Sequence, residues 1–346
     1  MSEATPLQAA PATLPPAPYQ LAREDGTPAY GLYSGYLSDA GFANLRGAFA
    51  PSFLQRRLTE KKWQYVWVAT PEMMLSMAIV DTGYLASGFC AIFDRGSRRL
   101  LFDNSPVLPS PLVEIAEHPA DGMSARLFGP GLSARMERSG GRVAVSAKWG
   151  HASVELSLDT RQAPPCMTAI APVAGEGRFD CTQKTVLVPA EGEVRAANCR
   201  FPVQGALAGL DYTHGYLARE TEWKWGFAGG RQGARRIAFN LSDGFLQGAG
   251  ENVLWVDDEP RALGPVQFSW DPAAPLAPWK VRTGDGLLDL TFQPEGLRQQ
   301  TVDLKLILSK YVQPFGSYSG TVTAPSGEKI AIDQLPGVTE DHAARW

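Results

Sequence analysis

The sequence contains few of the residues on which metal and nucleotide chemistry depend. It has four cysteines and four histidines in 346 residues. The cysteines form no C-x-x-C pair and lie near no histidine at zinc-ligand spacing, which predicts free, mostly buried thiols and no metal site. A P-loop, a G-x-S-x-G elbow and H-E-x-x-H are missing, and no G-x-G-x-x-G follows a predicted strand. These gaps argue against nucleotide-dependent and zinc-protease chemistry, and we expect no cofactor.

Strong charge and long apolar runs are also missing. The formal net charge is −4, and lysine and arginine are scattered, so we expect no nucleic-acid partner, which would need a dense basic field. No apolar run approaches about 20 residues, so the sequence predicts no membrane span. The first twenty residues lack the basic and apolar regions of a signal peptide, and we expect a cytoplasmic protein.

The hydrophobic period is mostly two. Thirty-five glycines and 27 prolines divide the chain into short segments. In 142–149, "RVAVSAKW", apolar residues alternate with others, and a similar segment follows after a glycine turn, which is typical of a β-hairpin. Asp243-Gly244 and Asp285-Gly286 are hairpin turn pairs. A helical pattern occurs in 51–63, and no strand–helix–strand alternation is present. The sequence therefore predicts a mainly β, antiparallel protein with a few short helices.

The length predicts two domains. Many short antiparallel strands spread over 346 residues indicate two packed β units, barrels or sandwiches. We expect a loosely packed arm, rich in proline and alanine, at residues 1–24, a first β domain at 25–200 and a second at 201–346. We also expect the ending "TEDHAARW" to dock against the second domain.

Several stretches together resemble the bacterial family of unknown function DUF2804, from about residue 25 onward. They are "KKWQYVWVATPEMMLSMAIVDTGYLASGFCAIFDRGSRRLL" (61–101), "DYTHGYLARETEWKW" (211–225), "ENVLWVD" (251–257), "SKYVQPFGSYSG" (309–320) and "GVTEDHAARW" (337–346). That family is distantly similar to calycin-like proteins with two tandem lipocalin-type domains, among them AttH-like proteins, the carotenoid 1,2-hydratase group and fungal pericyclase-type enzymes. The resemblance implies two lipocalin-like barrels with an apolar ligand cavity. The hydratase group acts on apolar polyenes by acid catalysis without a redox cofactor, but its catalytic residues do not match this chain locally.

The stretch from Asp211 to Trp225 is the predicted site, at the mouth or inner wall of the second barrel. His214 suits acid–base work near neutral pH, and Gly215 allows a sharp local turn beside it. Asp211 and Glu251 are the candidate catalytic carboxylates. The alternative is that His214 is a hydrogen-bonded structural residue.

The same stretch supplies candidate ligand-binding residues. Strand alternation places Arg219, Trp223 and Trp225 on one face, an apolar face with one cation. Tyr216 and Trp255 complete the predicted lining. The alternatives are that Arg219 forms a structural ion pair, with Asp211, Glu251, Glu340 or Asp341 as candidate partners, and that the tryptophans fill a core.

Three functions remain open at this level. The first is binding or carriage of an apolar small molecule, such as a lipid or isoprenoid, in a β-barrel cavity. The second is a cofactor-free lyase, hydratase or isomerase that acts on an apolar substrate by acid–base catalysis. The third is a structural role without a ligand. An inward-facing His214 with a carboxylate would favour the second function.

Overall fold

The computed structural model describes residues 13–244, 246, 250–303 and 307–346. Strands account for 65% of it and helices for 5%, which confirms the prediction of a mainly β protein with two large antiparallel units. Across the described ranges, we find no helix with the length and apolar character needed to cross a membrane.

The first sheet contains fourteen strands among the described residues. They are β1 Gly31–Ser34, β2 Glu60–Ala69, β3 Met73–Asp81, β4 Leu85–Asp94, β5 Arg99–Asn104, β6 Val107–Pro109, β7 Val113–Ile115, β8 Ser124–Gly129, β9 Leu132–Ser139, β10 Arg142–Trp149, β11 Ala152–Asp159, β12 Met167–Pro172, β13 Phe179–Ala196 and β14 Cys199–Tyr216. The main order is β5-β4-β3-β2-β14-β13-β11-β10-β9-β8-β7. The hairpin β13–β14 therefore joins the early strands to the later ones.

The second sheet contains nine strands among the described residues. They are β15 Glu220–Gln232, β16 Arg235–Asp243, β17 Val253–Val256, β18 Glu259–Ala262, β19 Val266–Ser269, β20 Trp279–Thr283, β21 Leu288–Asp303, β22 Leu308–Thr323 and β23 Lys329–Arg345. Their order is β18-β17-β16-β15-β23-β22-β21-β20-β19. The chain passes from the first sheet to the second between Tyr216 and Glu220. The predicted domain end at residue 200 lies in β14, and the division into domains stays a prediction.

The turn chemistry is largely as the sequence predicted. Strands β10 and β11 form a hairpin around Gly150, which has a φ of 59°. Gly286, with a φ of 72°, lies between β20 and β21, and Gly327, with a φ of 87°, lies between β22 and β23. The connection after Asp243-Gly244 lies partly outside the described residues.

Helical structure is short. Helix α1, Phe53–Thr59, begins after Ser52, whose side chain forms a capping box with Gln55. It ends where β2 begins, because the alternating pattern from residue 61 onward favours a strand. The described chain also has three 3₁₀ turns, at Gly47–Phe49, Ser110–Leu112 and Thr160–Gln162.

Three apolar layers hold the molecule together. One lies inside the first sheet, one inside the second sheet, and the third lies between the two sheets. Alternation along β2 shows how a strand serves two layers: Val66 and Val68 belong to the inner layer of the first sheet, whereas Tyr65 and Trp67 belong to the layer between the sheets. Both faces of this strand are therefore buried.

The segment 13–24, the described part of the predicted arm, is held against the first sheet. Leu14 packs in the layer between the sheets and Leu21 is fully buried in the inner layer. The Leu21 amide donates a hydrogen bond to the Asp39 carbonyl over 2.9 Å. Burial of these two apolar side chains thus fixes a segment whose proline-rich composition predicted loose packing. Residues 1–12 of the arm lie outside the described residues.

Candidate functional site

A cavity of about 230 Å³ opens between the two sheets. Its walls come from the outer face of the first sheet and from β15, β21, β22 and β23. Eight aromatic residues contribute to the lining: Trp63, Tyr65, Tyr84, Phe89, Trp223, Trp225, Tyr311 and Trp346. The interiors of both sheets are filled by apolar side chains. The first part of the predicted stretch, Asp211 to Tyr216, belongs to β14 of the first sheet and not to a second barrel, and the site itself stays a prediction.

Two clusters of interacting polar side chains lie within this lining. The acid cluster consists of Asp180, Lys184, Asp211 and Glu251, and the histidine cluster consists of Ser309, Glu340 and His342. A mainly apolar cavity with a few convergent polar groups is the usual form of a ligand site.

Strand pairing assembles the acid cluster. Asp180 and Lys184 lie on one face of β13, and Lys184 is directly opposite Asp211 of β14. Glu251 comes from the segment between β16 and β17 in the second sheet. The cluster is therefore shared by the two sheets.

Lys184 is the centre of the acid cluster. Its Nζ lies 2.7 Å from Asp211 Oδ2 and 3.2 Å from Glu251 Oε2. Burial lowers the pKa of Lys184, but the two carboxylates outweigh burial and raise its pKa above the usual range. The ammonium group is therefore retained and holds both carboxyl groups in place.

Asp211 is an anchored carboxylate. Thr182 Oγ1 donates to its Oδ1 over 3.2 Å, and Trp63 Nε1 donates to its Oδ2 over 3.4 Å. Together with Lys184, these donors satisfy both oxygens of the Asp211 side chain.

The surroundings of the Asp180 carboxyl differ from those of the Asp211 carboxyl. Burial raises the pKa of its carboxyl well above the usual range, and the Glu251 charge raises it further, although Lys184 opposes both. Among the residues described, none hydrogen-bonds to Asp180 Oδ1. Burial likewise raises the pKa of Glu251. The cavity thus contains a carboxyl group, that of Asp180, whose pKa is raised by burial and by a neighbouring carboxylate, which favours its protonated form.

Gly215 makes room for Asp180. The two residues are paired across β13 and β14. A Cβ at Gly215 would lie 2.6 Å from the Phe179 carbonyl oxygen and 2.9 Å from Asp180 Oδ1. The predicted sharp turn at Gly215 is wrong, because the residue lies inside β14, and its role is close strand approach.

The histidine cluster is built on two neighbouring strands. Glu340 and His342 lie two residues apart on one face of β23, and Glu340 Oε1 lies 3.3 Å from His342 Nδ1. Ser309 of β22 places its Oγ 3.0 Å from His342 Nε2. Trp223 Nε1 also donates to Glu340 Oε1, over 3.0 Å. Burial raises the pKa of Glu340, but hydrogen bonds, with that from His342 the largest, bring it below the usual range.

His214 lies away from the cavity. Alternation along β14 turns Asp211 and Thr213 to the cavity and His214 to the interior of the first sheet. The imidazole is fully buried and stacks on Phe42 with ring centroids 3.7 Å apart. Its Nδ1 lies 2.9 Å from the Ala40 carbonyl oxygen and its Nε2 lies 2.9 Å from Glu60 Oε1. Burial lowers the pKa of His214, against the opposing bond to Glu60.

His214 also belongs to a group that resembles a metal site in composition. The ligand atoms of Glu60, Glu117 and His214 lie within 4.8 Å of one another. Arg56 Nε lies 2.6 Å from Glu60, and Lys62 Nζ lies 3.0 Å from Glu117. Two side-chain cations therefore already balance the carboxylates, and this group fits an ion-pair network better than a metal ion.

Some of the predicted ligand-binding residues line the cavity and the others lie elsewhere. Trp223 and Trp225 line the cavity. Trp255 is buried in the layer between the sheets, where its Nε1 donates to the Pro165 carbonyl oxygen over 3.0 Å. Tyr216 packs inside the first sheet. Arg219 donates to the Trp346 carbonyl oxygen over 2.7 Å, at the docked C-terminus.

The structure therefore brings together Asp211, Glu251, Trp223 and Trp225, and adds residues that the sequence analysis missed. One pattern could have indicated Asp180 and Lys184. They alternate with Cys181 and Gln183 along β13 and share a face with Thr182, so three polar residues repeat every second position in a buried strand. No local pattern indicates Ser309, because its contact with His342 depends on the pairing of β22 with β23.

Fold and site define a mainly β protein of two large antiparallel sheets with an apolar cavity between them. The family model described as "Domain of unknown function (DUF2804)" matches residues 15–346. The chain belongs to the DUF2804 family, as the sequence motifs indicated. No curated protein matches the chain in sequence.

Two solved structures share the fold. Kievitone hydratase from Nectria haematococca has 11% sequence identity and a TM-score of 0.51, with 97% of this chain and 98% of the hydratase covered. An AttH-type protein from Nitrosomonas europaea has 13% identity and a TM-score of 0.50, with 84% of this chain and 96% of that protein covered. At this identity the similarity shows the fold alone.

Proposed function

We propose that the protein binds a largely apolar small molecule between its two sheets and acts on it by acid–base catalysis, as a cofactor-free hydratase, lyase or isomerase. Asp180 carries the proposal. A carboxyl group whose pKa is raised by burial in an apolar cavity, with one oxygen lacking a hydrogen-bond partner among the described residues, is suited to give a proton to a substrate.

The other members of the acid cluster take supporting roles. Glu251 is the proposed base, because burial raises its pKa and makes its ionised form a better proton acceptor. Lys184 and Asp211 form the fixed charged pair that positions it. The lining supplied by Trp223 and Trp225 excludes water and binds the apolar body of the substrate.

Simple binding or carriage is the second candidate, and one observation favours it. The lining is mainly aromatic and aliphatic, and such surfaces bind apolar ligands without any chemistry. The fold of kievitone hydratase is compatible with the catalytic proposal and does not by itself select it.

A deuterium-transfer experiment separates the two functions. Protein purified from its own host is analysed by native mass spectrometry for a retained ligand. The purified protein is then incubated in heavy water with an apolar extract of the host. Hydration and double-bond shifts add a proton from solvent to carbon, and an elimination does so in its reverse direction, so the wild-type protein should place deuterium at a carbon of one extract component.

The variants give the experiment its controls. D180N should abolish deuterium transfer and retain the ligand, since the amide keeps the shape of the acid but cannot give up a proton. Asp94 accepts a backbone hydrogen bond in an exposed turn, so D94N should behave as wild type. Ligand retention without deuterium transfer in the wild-type protein would reject catalysis in favour of carriage.

A further inference from the structure

The histidine cluster lies in the same cavity but takes no part in the proposed acid–base chemistry. Trp223 and Trp225 are two residues apart on one face of β15, so their side chains are roughly 7 Å apart along the strand. Trp223 contacts the histidine cluster, and Trp225 lies near Lys184 of the acid cluster. The two clusters therefore border neighbouring parts of one cavity.

We infer that Ser309 is a nucleophile for acyl transfer, with His342 as its base and Glu340 as the positioning residue that orients the imidazole. The three side chains form a continuous series of contacts: Ser309 Oγ to His342 Nε2 at 3.0 Å, and His342 Nδ1 to Glu340 Oε1 at 3.3 Å. This is the nucleophile–base–orienter arrangement of covalent hydrolases. The ligand class is an ester with an apolar acyl or alcohol part.

The hydrogen bonds determine which nitrogen of His342 carries the proton. Trp223 Nε1 and Gln313 Nε2 donate to the two oxygens of Glu340, over 3.0 and 2.7 Å, which suits an ionised acceptor. A carboxylate next to Nδ1 favours the tautomer with the proton on that nitrogen. Nε2 is then the free acceptor that faces the Ser309 hydroxyl, as the role of a base requires.

The sheet geometry makes the arrangement rigid. His342 is paired directly with Tyr311, and Ser309 is paired with Ala344, so Ser309 and His342 are diagonal neighbours on one face. The rings of Trp223 and Tyr311 contact the imidazole, at centroid distances of 4.2 and 5.5 Å. Both strands are hydrogen-bonded within the second sheet, so the side chains are held by the strands rather than by a loop.

The proposed reaction is the hydrolysis of an ester by water. Ser309 Oγ bonds to the carbonyl carbon and its proton passes to His342 Nε2. The bond to the alcohol oxygen breaks, and the alcohol leaves with that proton. Water then attacks the acyl-serine ester and gives a proton to Nε2. The acid departs as Ser309 recovers the proton, so an ester and water give an acid and an alcohol.

A fluorophosphonate probe with an alkyl chain tests the inference on the full-length protein. The serine oxygen displaces fluoride from phosphorus and leaves a stable adduct that intact mass and peptide mapping detect. We expect about one label per folded chain, located on Ser309. S309A should remove the label, and H342Q should slow labelling by about 100-fold or more, the usual contribution of a positioned base.

The control variant separates this chemistry from general accessibility of serine side chains in the cavity. Ser87 also lines the cavity, but its hydroxyl donates to the Pro106 carbonyl oxygen over 3.0 Å, so S87A should label as wild type. No labelling of folded wild-type protein, a label retained in S309A, or a normal rate in H342Q would each overturn the inference.

Discussion

Asp180 shows how a single residue can link the site to the stability of the whole protein. Its carboxyl pKa is raised by burial in the folded protein, whereas the pKa of an aspartate in an unfolded chain is about 4. Between these two values the folded state binds more protons than the unfolded state, so stability falls as pH rises, by up to about 1.4 kcal/mol per pH unit. Asn at this position stays neutral and removes that dependence.

We therefore predict that D180N gains stability relative to wild type as the pH rises from 5 to 8, by up to about 1.4 kcal/mol for each pH unit. Urea unfolding at the two pH values measures the difference. D94N, at an exposed turn, is the matched carboxylate control and should follow the wild-type pH dependence. Equal pH dependence of D180N and wild type would show that Asp180 is ionised in the folded protein.

At the scale of elements, the segment 13–24 has a structural role that its proline- and alanine-rich composition did not indicate. Leu21 is fully buried within the first sheet, whereas Tyr19, two residues earlier, is 75% exposed. Removal of a buried leucine side chain leaves a cavity and typically costs about 2–5 kcal/mol. We predict that L21A lowers the unfolding free energy by this amount in chemical denaturation. Y19A is the control and should change it by less than about 0.5 kcal/mol.

Strand β23 is the corresponding element at the other end of the chain. It lies between β15 and β22, so it completes two ladders of the second sheet and carries two members of the histidine cluster. We predict that truncation after Gly337 abolishes the cooperative thermal transition, because both neighbouring strands lose backbone partners that are otherwise buried. A folded, monomeric truncated protein with an unchanged melting curve would contradict this role.

At the scale of the whole molecule, Arg298 joins the two sheets beside the cavity. Its Nε donates to Asp103 Oδ1 over 2.8 Å, and its guanidinium lies 3.9 and 4.2 Å from the ring centroids of Phe89 and Tyr311. The side chain is 2% exposed. A buried charged hydrogen bond is worth more than an exposed pair, because solvent cannot replace the lost partner.

We predict that R298M destabilises the protein by about 2–4 kcal/mol and also weakens retention of an apolar ligand, since the sheets that form the cavity lose a shared contact. Urea unfolding measures the change in stability, and native mass spectrometry measures the retention of the ligand. Arg282 forms a comparable pair with Asp289 on the surface, where its side chain is 60% exposed, so R282M should cost less than about 1 kcal/mol. Similar losses in both variants would mean that Arg298 makes no special contact between the sheets.

The sequence by itself determined the class of the protein and much of its local structure. Alternation in 142–149 and glycines such as Gly286 and Gly327 specify strands and turns through local sterics and side-chain periodicity, which require no knowledge of distant residues. The family also followed from the sequence, since its motifs span the chain. Part of the site followed too, because Asp211, Trp223 and Trp225 share a stretch with a clear pattern.

The tertiary structure alone decided which faces meet and therefore where the site lies. Alternation divides a strand into two faces but does not say which one borders a cavity, so His214 and Asp211 could be assigned to opposite sides only once β14 was packed. The contacts of Lys184 with Glu251, and of Ser309 with His342, join residues 67 and 33 positions apart. Such pairs depend on strand order and register, which long-range packing sets and local propensity does not.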